Sequence, residues 1–407
     1  MLSPGSLGFV VLLGALTALN ALAIDMSLPA LPEFERVFAA DPDQVQWTLS
    51  GFLLGFSVGQ LCFGPLSDRH GRKPLLLLGL SVFALGGFGC AVSPGLGWLV
   101  AARFLQGIGA CVGPVLGRAM VRDLFERHRA ARMMSHMTVV MSVAPLLAPI
   151  AGGYLLEWIG WQAIFVFLGG AGMLILAVVA LRLRESLDRP DLHALRVRRL
   201  VGNYRAVFQS RGTLGFAAVS GLLLCGLFVY ISGAPFVYIE VFGLRSDRFG
   251  YFFAIPAMSL VGGGFANATL LRYWDGEKLL QCGLLLVLGA GVAMVVEVFC
   301  AAGIWGVALP VTFYVFGLGL ITPNATAAAM EPHPNIAGFV SSLIGCLQIA
   351  GAALASWMAS RFYDHTAMPM ATGVLGFGAA AFLIYHIFVR TRPGRGLSPA
   401  AASSGTR

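Results

Sequence analysis

Long apolar runs fill most of the chain, and they constrain its fold more than any other feature. A bilayer core about 30 Å thick takes roughly 20 residues of helix, and twelve runs in the sequence are about that long. Hydrophobic residues make up 57% of the 407 residues and charged residues 11%, whereas a soluble domain carries about 25% charged residues. We therefore predict an all-α membrane protein with twelve transmembrane helices. The predicted spans are 7–31, 45–67, 75–92, 96–118, 133–155, 160–182, 213–238, 249–271, 279–300, 304–326, 336–360 and 370–389.

The basic residues are distributed unevenly over the segments between these spans. If the N-terminus lies in the cytoplasm, most of the 27 Lys and Arg residues fall in cytoplasmic segments and few fall outside. The positive-inside rule therefore places both termini of this multi-pass protein in the cytoplasm. Arg103 is the one cation that this assignment leaves inside a span. The loops carry no aromatic platform beside their cations, so the net charge of +8 does not indicate a nucleic-acid partner.

A long basic segment after the sixth span divides the chain into two halves. Lys73 and Lys278, the two lysines of the chain, lie at equivalent places in them, because residues 70–76 have a weaker echo at residues 275–280. Such repeats are typical of transporters in which two pseudo-symmetric six-helix bundles bind substrate between them, near the middle of the membrane. The predicted domains are an N-terminal bundle over 1–182, a cytoplasmic basic linker over 183–211, a C-terminal bundle over 212–390 and a disordered cytoplasmic tail over 391–407.

The loop between the second and third spans, residues 64–74 (the latch loop), is short, charged and rich in turn-forming residues. Its sequence GPLSDRHGRKP resembles the signature loop GxLaDrxGrkp of the major facilitator superfamily. Asp68 is expected to face the start of the eleventh helix near residues 335–339, where unpaired N–H groups attract a carboxylate. Arg72 is expected to reach Asp123 or Glu126, and we predict that these contacts break when the cavity opens inward. The residues assigned to this conformational latch are Gly64, Asp68, Arg69, Gly71, Arg72, Lys73 and Asp123.

Two opposite charges are predicted at a similar depth inside the membrane. Asp25 lies six residues, or ~9 Å of helix, below the outer end of the first span, and Arg103 lies at a similar depth in the fourth. Ionisable side chains are costly at such positions and usually functional. A buried carboxylate beside a movable guanidinium can gain and lose a proton, which is the chemistry of a proton-coupled carrier. The structural alternatives are a carboxylate that caps loose backbone near Pro29 and an arginine that binds facing carbonyl groups.

The fifth span contains two prolines four residues apart, followed by paired glycines. Such residues bend a helix and allow two backbones to approach closely. The segment resembles the antiporter motif gxxxGPxxGG, with Ala148 in place of one glycine. The residues assigned to this antiporter helix kink are Pro145, Pro149, Gly152 and Gly153.

Further segments are similar to the bicyclomycin- and chloramphenicol-resistance (Bcr/CflA) drug exporters. These segments are 24–32, 122–123, 132–135, 148–153 and 233–240. The resemblance implies export of small drugs against proton entry across a bacterial inner membrane. It places the family's proton-linked acidic position at Asp25, and its helix 4 arginine, in a motif similar to RxxqGxga, at Arg103.

The leading hypothesis is a proton-coupled antiporter that exports small, largely apolar drugs and acts as a monomer in the bilayer without a cofactor. The alternative is an exporter of a specific metabolite, such as an amino acid or a sugar, on the same fold. The chain has no Gly-Lys pair for a phosphate-binding loop, so neither an enzyme nor an ATP-driven pump is indicated. Participation of Glu240 or Glu297 in proton transfer stays open. The candidate residues of the substrate cavity are Asn20, Gln106, Tyr230, Pro235 and Tyr251.

Overall fold

The computed structural model describes residues 4–187, 190–191, 197–333 and 336–389. Within these ranges, twelve helical segments are long and apolar enough to cross a membrane, which confirms the predicted number of spans. The predicted tail, 391–407, lies outside the described residues. The α-helices are α1 (Leu7–Asp25), α2 (Leu31–Phe38), α3 (Pro42–Val45), α4 (Trp47–His70), α5 (Arg72–Ala91), α6 (Leu96–Ala110), α7 (Val112–Leu124), α8 (Arg127–Trp158), α9 (Trp161–Arg182), α10 (Val197–Gln209), α11 (Arg211–Pro235), α12 (Ser246–Leu270), α13 (Gly276–Phe299), α14 (Ile304–Met330), α15 (Ala337–Arg361) and α16 (Met368–Ile384).

The first span is interrupted in its outer part. Its helix α1 ends at Asp25, a 3₁₀ turn covers Leu28–Ala30, and α2 continues the span. Pro29 has no N–H group to donate to a helix, so the regular hydrogen-bond ladder stops just before it. The Ser27 hydroxyl donates to the carbonyl oxygen of Ile24 at 2.8 Å and so satisfies an acceptor at the break. Asp25 therefore lies at a helix break within the span.

The helical segment of the fourth span continues beyond the predicted end of the span. That end is residue 118, whereas α6 and α7 together reach Leu124. The last turns of α7 are amphipathic: Met120 is buried, whereas Arg118 and Arg122 are exposed and border a cavity. A polar helix face that borders a cavity is tolerated inside a membrane protein. Arg118 and Arg122 therefore lie on the same helical segment as Arg103, on its polar face.

The spans form two six-helix bundles, and the bundles meet along two pairs of helices. In these pairs α4 packs against α15, and α8 packs against α12. Below, the far end is the membrane face at which α4 begins and α8 ends. The basic end is the opposite face, which carries the latch loop and α10.

The backbones of α8 and α12 touch at the far end. A Cβ atom at Gly153 would collide with the carbonyl oxygen of Ser246, and a Cβ atom at Gly250 would collide with the backbone of Ile150. Glycine at these positions allows a separation that side chains would prevent. The far end of this helix pair is therefore closed by backbone contact, and we call this contact the glycine seam.

The helices α4 and α15 are hydrogen-bonded to each other near the far end, and they separate towards the basic end. Ser50 Oγ donates to the carbonyl oxygen of Ala353 at 3.0 Å, and Ser57 Oγ donates to that of Cys346 at 3.0 Å. Beyond Gln60, a cavity of about 420 Å³ lies between the two halves. The molecule is thus closed at the far end and has a cavity at the basic end.

Candidate transport site

The latch loop is organised by the guanidinium group of Arg72. Its Nη1 atom lies 2.6 Å from Asp68 Oδ1 and 2.7 Å from Ser67 Oγ, and its Nε atom donates to Asp123 Oδ2 at 2.9 Å. The predicted contact between Arg72 and Asp123 is therefore present. Gly71 has a φ angle of +97°, which side chains disfavour. This turn separates α4 from α5 and directs Arg72 back towards α4.

These contacts join elements of the first half alone. They are present while a cavity lies between the latch loop and α15, and the breaking of these contacts on inward opening stays a prediction. Arg72 holds Asp68 on the cavity wall, which Gly64 and, from the second half, Gly338 also line. Residue 335, in the segment predicted to meet Asp68, lies outside the described residues. Arg69 is exposed.

A carboxylate from the linker completes the latch loop, although no chemistry is predicted for that segment. Glu185 accepts backbone N–H groups of Arg72 at 2.9 Å and Lys73 at 3.0 Å, and also those of Ser186 and Leu187. Partial burial tends to raise the pKa of Glu185, but the four N–H donors outweigh it and hold the pKa below its ordinary value. Glu185 therefore caps the start of α5 from a position 113 residues further along the chain.

Arg103 is buried in the first half, with 1% of its surface exposed. Its Nη1 atom donates to the carbonyl oxygen of Ala23 at 3.0 Å and to Gln106 Oε1 at 2.9 Å, and its Nη2 atom donates to Ser27 Oγ at 3.2 Å. The ring of Phe52 lies 4.4 Å from Cζ and adds a cation–π contact. Arg103 thus contacts carbonyl groups, as expected from the alternative in which this arginine has a structural role.

Asp25 lies on the first span between the two groups that Arg103 binds there, Ala23 and Ser27. Its side chain is 6% exposed, and within the described residues no ion pair joins it to Arg103. Arg103 therefore holds the backbone on both sides of the carboxylate without neutralising it. A carboxylate buried without a cation is costly while it is ionised.

The predicted kink of the fifth span places the seam next to Asp25. Both prolines lie inside α8. A Cβ atom at Gly152 would collide with the carbonyl oxygen of Met26, the residue that follows Asp25, while the adjacent Gly153 meets Ser246 of α12. The paired glycines therefore connect the break in the first span directly with the second half.

Three of the predicted substrate-cavity residues lie on helical segments that are long and apolar enough to span a membrane. Gln106 is fully buried, and its Nε2 atom has no hydrogen-bond partner in the described part of the chain. The Oδ1 atom of Asn20 is likewise buried without a partner there. Pro235 is the last residue of α11 and is followed by a π-helical turn at Phe236–Val241. None of the three lines the basic-end cavity.

The two predicted tyrosines also lie away from that cavity. Tyr230 is buried in the second half and stacks on Phe253, with the ring centroids 5.8 Å apart. Tyr251 is half exposed near the start of α12, and its hydroxyl lies 3.1 Å from that of Tyr154. Helices that are apolar on every side do not indicate which face meets a cavity, so residue type alone could not locate the lining.

The basic-end cavity is lined by residues of both halves, and several of them were assigned to loops in the sequence. Arg118 and Arg122 were missed because hydropathy ends their span too early. Their spacing of four residues, which places both on one helix face, is the signal that could have identified them. The polar and charged lining residues are Gln60, Ser67, Asp68, Arg72, Arg118, Arg122, Asp191, Tyr204, Ser341 and Ser342.

Comparison with known proteins agrees with this architecture. Over 363 residues the chain is 34% identical to a bicyclomycin resistance protein homolog of Haemophilus influenzae, which covers 89% of this chain and 91% of that protein. It is 30% identical over 352 residues to multidrug resistance protein D of Escherichia coli K12, which covers 85% and 86% of the two chains.

Two solved transporter structures share the fold at low sequence identity. A bacterial homolog of the human lysosomal transporter Spinster, in an inward-facing and unoccupied conformation, matches with a TM-score of 0.75, 15% identity, and coverage of 97% of this chain and 100% of that chain. The E. coli xylose transporter XylE, in a partially occluded inward open conformation, matches with a TM-score of 0.72, 16% identity, and coverage of 96% and 100%. These matches show the fold.

A family model identifies the protein family, in agreement with the helices, the latch loop and these relatives. The model described as Major Facilitator Superfamily matches residues 13–356, which include the latch loop, both intramembrane charges and the glycine seam. The chain therefore belongs to the major facilitator superfamily of membrane transporters.

Proposed function

We propose that the protein is a proton-coupled antiporter of the Bcr/CflA type that exports small, largely apolar drugs across the bacterial inner membrane. Both termini are assigned to the cytoplasm, so the basic end faces the cytoplasm and the far end faces outwards. The observation that carries the proposal is the Asp25 carboxylate, which is buried without an ion-pair partner among the described residues. The relatives named for bicyclomycin and multidrug resistance support the choice of substrate class.

The position of Asp25 beside the glycine seam suggests how a proton is coupled to the conformational change. While the far end is closed, water is excluded from Asp25, and the neutral carboxyl group costs less free energy than the carboxylate. Separation of Gly153 from Ser246, on the other side of the paired glycines, would admit water to the same group and lower the cost of ionisation. Asp25 would therefore exchange its proton differently in the two states, which is the requirement for coupling.

The same contacts give Arg103 a positioning role in this cycle. Its guanidinium group fixes Ala23 and Ser27, on either side of Asp25, and so keeps the carboxylate at the helix break. One proton that crosses ~100 mV supplies about 2.3 kcal/mol, which sustains a roughly fifty-fold gradient of a neutral drug. The protein would act as a monomer. Its latch loop, on the cytoplasmic side, would adjust the balance between the two states.

Drug-driven proton movement in vesicles tests this proposal. Purified protein is reconstituted into liposomes with an imposed pH gradient, and chloramphenicol is added as the probe while an internal pH dye is recorded. We expect the wild-type protein to dissipate the gradient on addition of the drug and Asp25→Asn to show no response. Glu331→Gln, at an exposed carboxylate, is the control and should behave as wild type. A full response from Asp25→Asn would exclude Asp25 as the coupling site.

A second candidate function has one observation in its favour. The basic-end cavity is lined by charged and amide groups such as Gln60 and Arg118, which suit a polar metabolite better than an apolar drug. An exporter of an amino acid or a sugar would use these groups as fixed hydrogen-bond partners. Competition of an unlabelled amino-acid and sugar panel with labelled chloramphenicol, in the same vesicles, distinguishes the two candidates.

A further inference from the structure

The basic-end cavity is walled by cationic helix surface on one side and by the second half on the other. The first half contributes residues of α4, α5, α7 and α8, the segment between the halves contributes Asp191 and Tyr204, and the second half contributes residues between 336 and 343. Along α4 the lining runs from Asp68 to Gln60, a depth of ~12 Å at 1.5 Å per residue. A solute that enters from the basic end therefore passes this lining before it reaches the membrane interior.

The charges of the lining are unequally compensated. Arg72 is neutralised by Asp68 and Asp123. Arg118 and Arg122 lie one helical turn apart on the cavity side of α7, and neither has a carboxylate within ion-pair distance among the described residues. Two neighbouring guanidinium groups repel each other unless an anion lies between them.

Arg118 is anchored by a backbone carbonyl group, and Arg122 lies close to α15 of the second half. Arg118 Nε donates to the carbonyl oxygen of Pro114 at 2.8 Å, which anchors the side chain and leaves its two terminal nitrogens for other partners. Arg122 Nη1 lies 2.7 Å from the position that a Cβ atom would occupy at Gly338 of α15. Glycine at residue 338 therefore makes room for Arg122, which reaches from the first half to the second.

We propose that Arg118 and Arg122 form a binding site for an oxyanion, such as the carboxylate or sulfonate of an amphiphilic substrate. A planar guanidinium group donates paired hydrogen bonds to such an anion. Leu61, Val115, Phe339 and Leu343 in the same lining would hold the apolar part of that substrate. The inference extends the proposed function, since it rests on export through this cavity, and it adds anionic amphiphiles to the apolar drugs.

An equilibrium binding measurement tests the site without any proton gradient. Full-length protein in a neutral detergent is titrated with radiolabelled naphthalene-1-sulfonate and, as a matched neutral probe, with naphthalene-1-sulfonamide. Arg118→Gln and Arg122→Gln are each expected to weaken sulfonate binding by about tenfold or more, because each removes a charge-assisted hydrogen bond. Sulfonamide binding should weaken several-fold less, because its neutral oxygens accept hydrogen bonds more weakly than the charged sulfonate oxygens. Arg272→Gln, at an exposed arginine outside the cavity, is the control.

Gly338→Ala keeps both arginines and displaces Arg122, so it should also weaken sulfonate binding selectively. The inference is overturned if the two arginine variants bind sulfonate as wild type does, or if they lose sulfonate and sulfonamide binding equally. Competition by phosphatidylglycerol, with phosphatidylcholine as its control, identifies the oxyanion as a lipid headgroup, and absence of competition identifies it as free substrate. If the protein does not bind sulfonate but the drug still drives proton movement, the oxyanion site is excluded and the proposed function stands. If it binds sulfonate but the drug drives no proton movement, the proposed function is excluded and the oxyanion site stands.

Discussion

At the scale of single residues, the interior charges act through geometry more than through mutual attraction. Arg103 and Asp25 lie in the same layer of the first bundle, yet the guanidinium group binds the groups on either side of the carboxylate. The arginine fixes where the carboxylate lies, and the absence of an ion pair in the described residues leaves the carboxylate sensitive to water. A change of donor geometry is therefore expected to matter as much as a change of charge.

Arg103→Lys tests that expectation. An ammonium group cannot donate to Ala23, Gln106 and Ser27 at once, because its donors diverge from one point whereas those of a guanidinium group are spread over a plane. We expect the melting temperature in detergent to fall, at a cost of ~1–3 kcal/mol for the buried acceptors left unpaired. We also expect proton-coupled efflux to decrease by at least about tenfold, because Asp25 loses its fixed position.

Two measurements check this prediction: thermal unfolding of the purified variant and efflux from vesicles. Arg36→Lys, at an exposed arginine in α2, serves as the matched control. Normal efflux by Arg103→Lys would show that a positive charge alone is sufficient at this position.

The paired glycines of α8 make a second prediction at this scale. Gly152→Ala places a methyl group against the carbonyl oxygen of Met26, and this overlap within the first half should destabilise the folded protein by ~1–3 kcal/mol. Gly170→Ala, in the middle of α9 where a Cβ atom meets open space, should instead be neutral or stabilising by up to ~1 kcal/mol. Melting temperatures of the two variants provide the comparison, and equal values would contradict the close contact.

At the scale of elements, α5 begins where a distant segment caps it. The Glu185 carboxylate accepts the first N–H groups of the helix, which a helix cannot satisfy by itself. The latch loop is therefore stabilised from two sides, by Arg72 towards α7 and by Glu185 from the end of α9. The linker has a structural role there in addition to its charge.

The cap has a defined pH dependence. Because the pKa of Glu185 lies below its ordinary value of 4.5, the cap contributes stability above that value and loses it as the pH falls through the lowered pKa. Glu185→Gln should therefore lower the melting temperature at pH 7, and its difference from wild type should shrink below about pH 4.5. Melting curves from pH 8 to pH 3.5 measure this, with Glu126→Gln at an exposed carboxylate as the control. A difference that is constant with pH would rule out the ionised cap.

At the scale of the whole molecule, the far end is closed and the basic end holds a cavity. The Arg72 contacts lie within the first half and hold Asp68 on the cavity wall. We expect Asp68 to meet the start of α15 when the cavity closes. The balance between the two states would then depend on that carboxylate.

Asp68→Asn is predicted to shift the population towards the state observed here. An amide is attracted less strongly than a carboxylate to the N-terminus of a helix, by ~0.3–2 kcal/mol, so the closed basic end loses stability. Turnover should slow while chloramphenicol affinity changes little, because Asp68 is not proposed to contact the drug. Distance distributions between spin labels on α4 and α15 report the shift. Loss of drug binding with unchanged distances would contradict it.

The sequence predicts the spans, the two halves and the Arg72–Asp123 contact, because long apolar runs and a short charged loop leave few alternatives. It does not predict the role of Glu185, since a carboxylate that caps a helix 113 residues away has no local pattern. It also ends the fourth span at Arg118, although α7 continues to Leu124, because a helix face along a cavity can be polar and lowers the hydropathy. Residues such as Gln106 and Tyr251 could not be placed, since their helices are apolar on most sides.

The glycine seam also limits how such a transporter can change during evolution. Where two backbones touch, there is no side chain to exchange, and nearly every single substitution adds atoms that do not fit. Variation in substrate range must therefore arise elsewhere, on surfaces where side chains face open space. Selection by a new toxic compound is expected to accumulate changes along the walls of the basic-end cavity, while Gly152, Gly153 and Gly250 stay fixed.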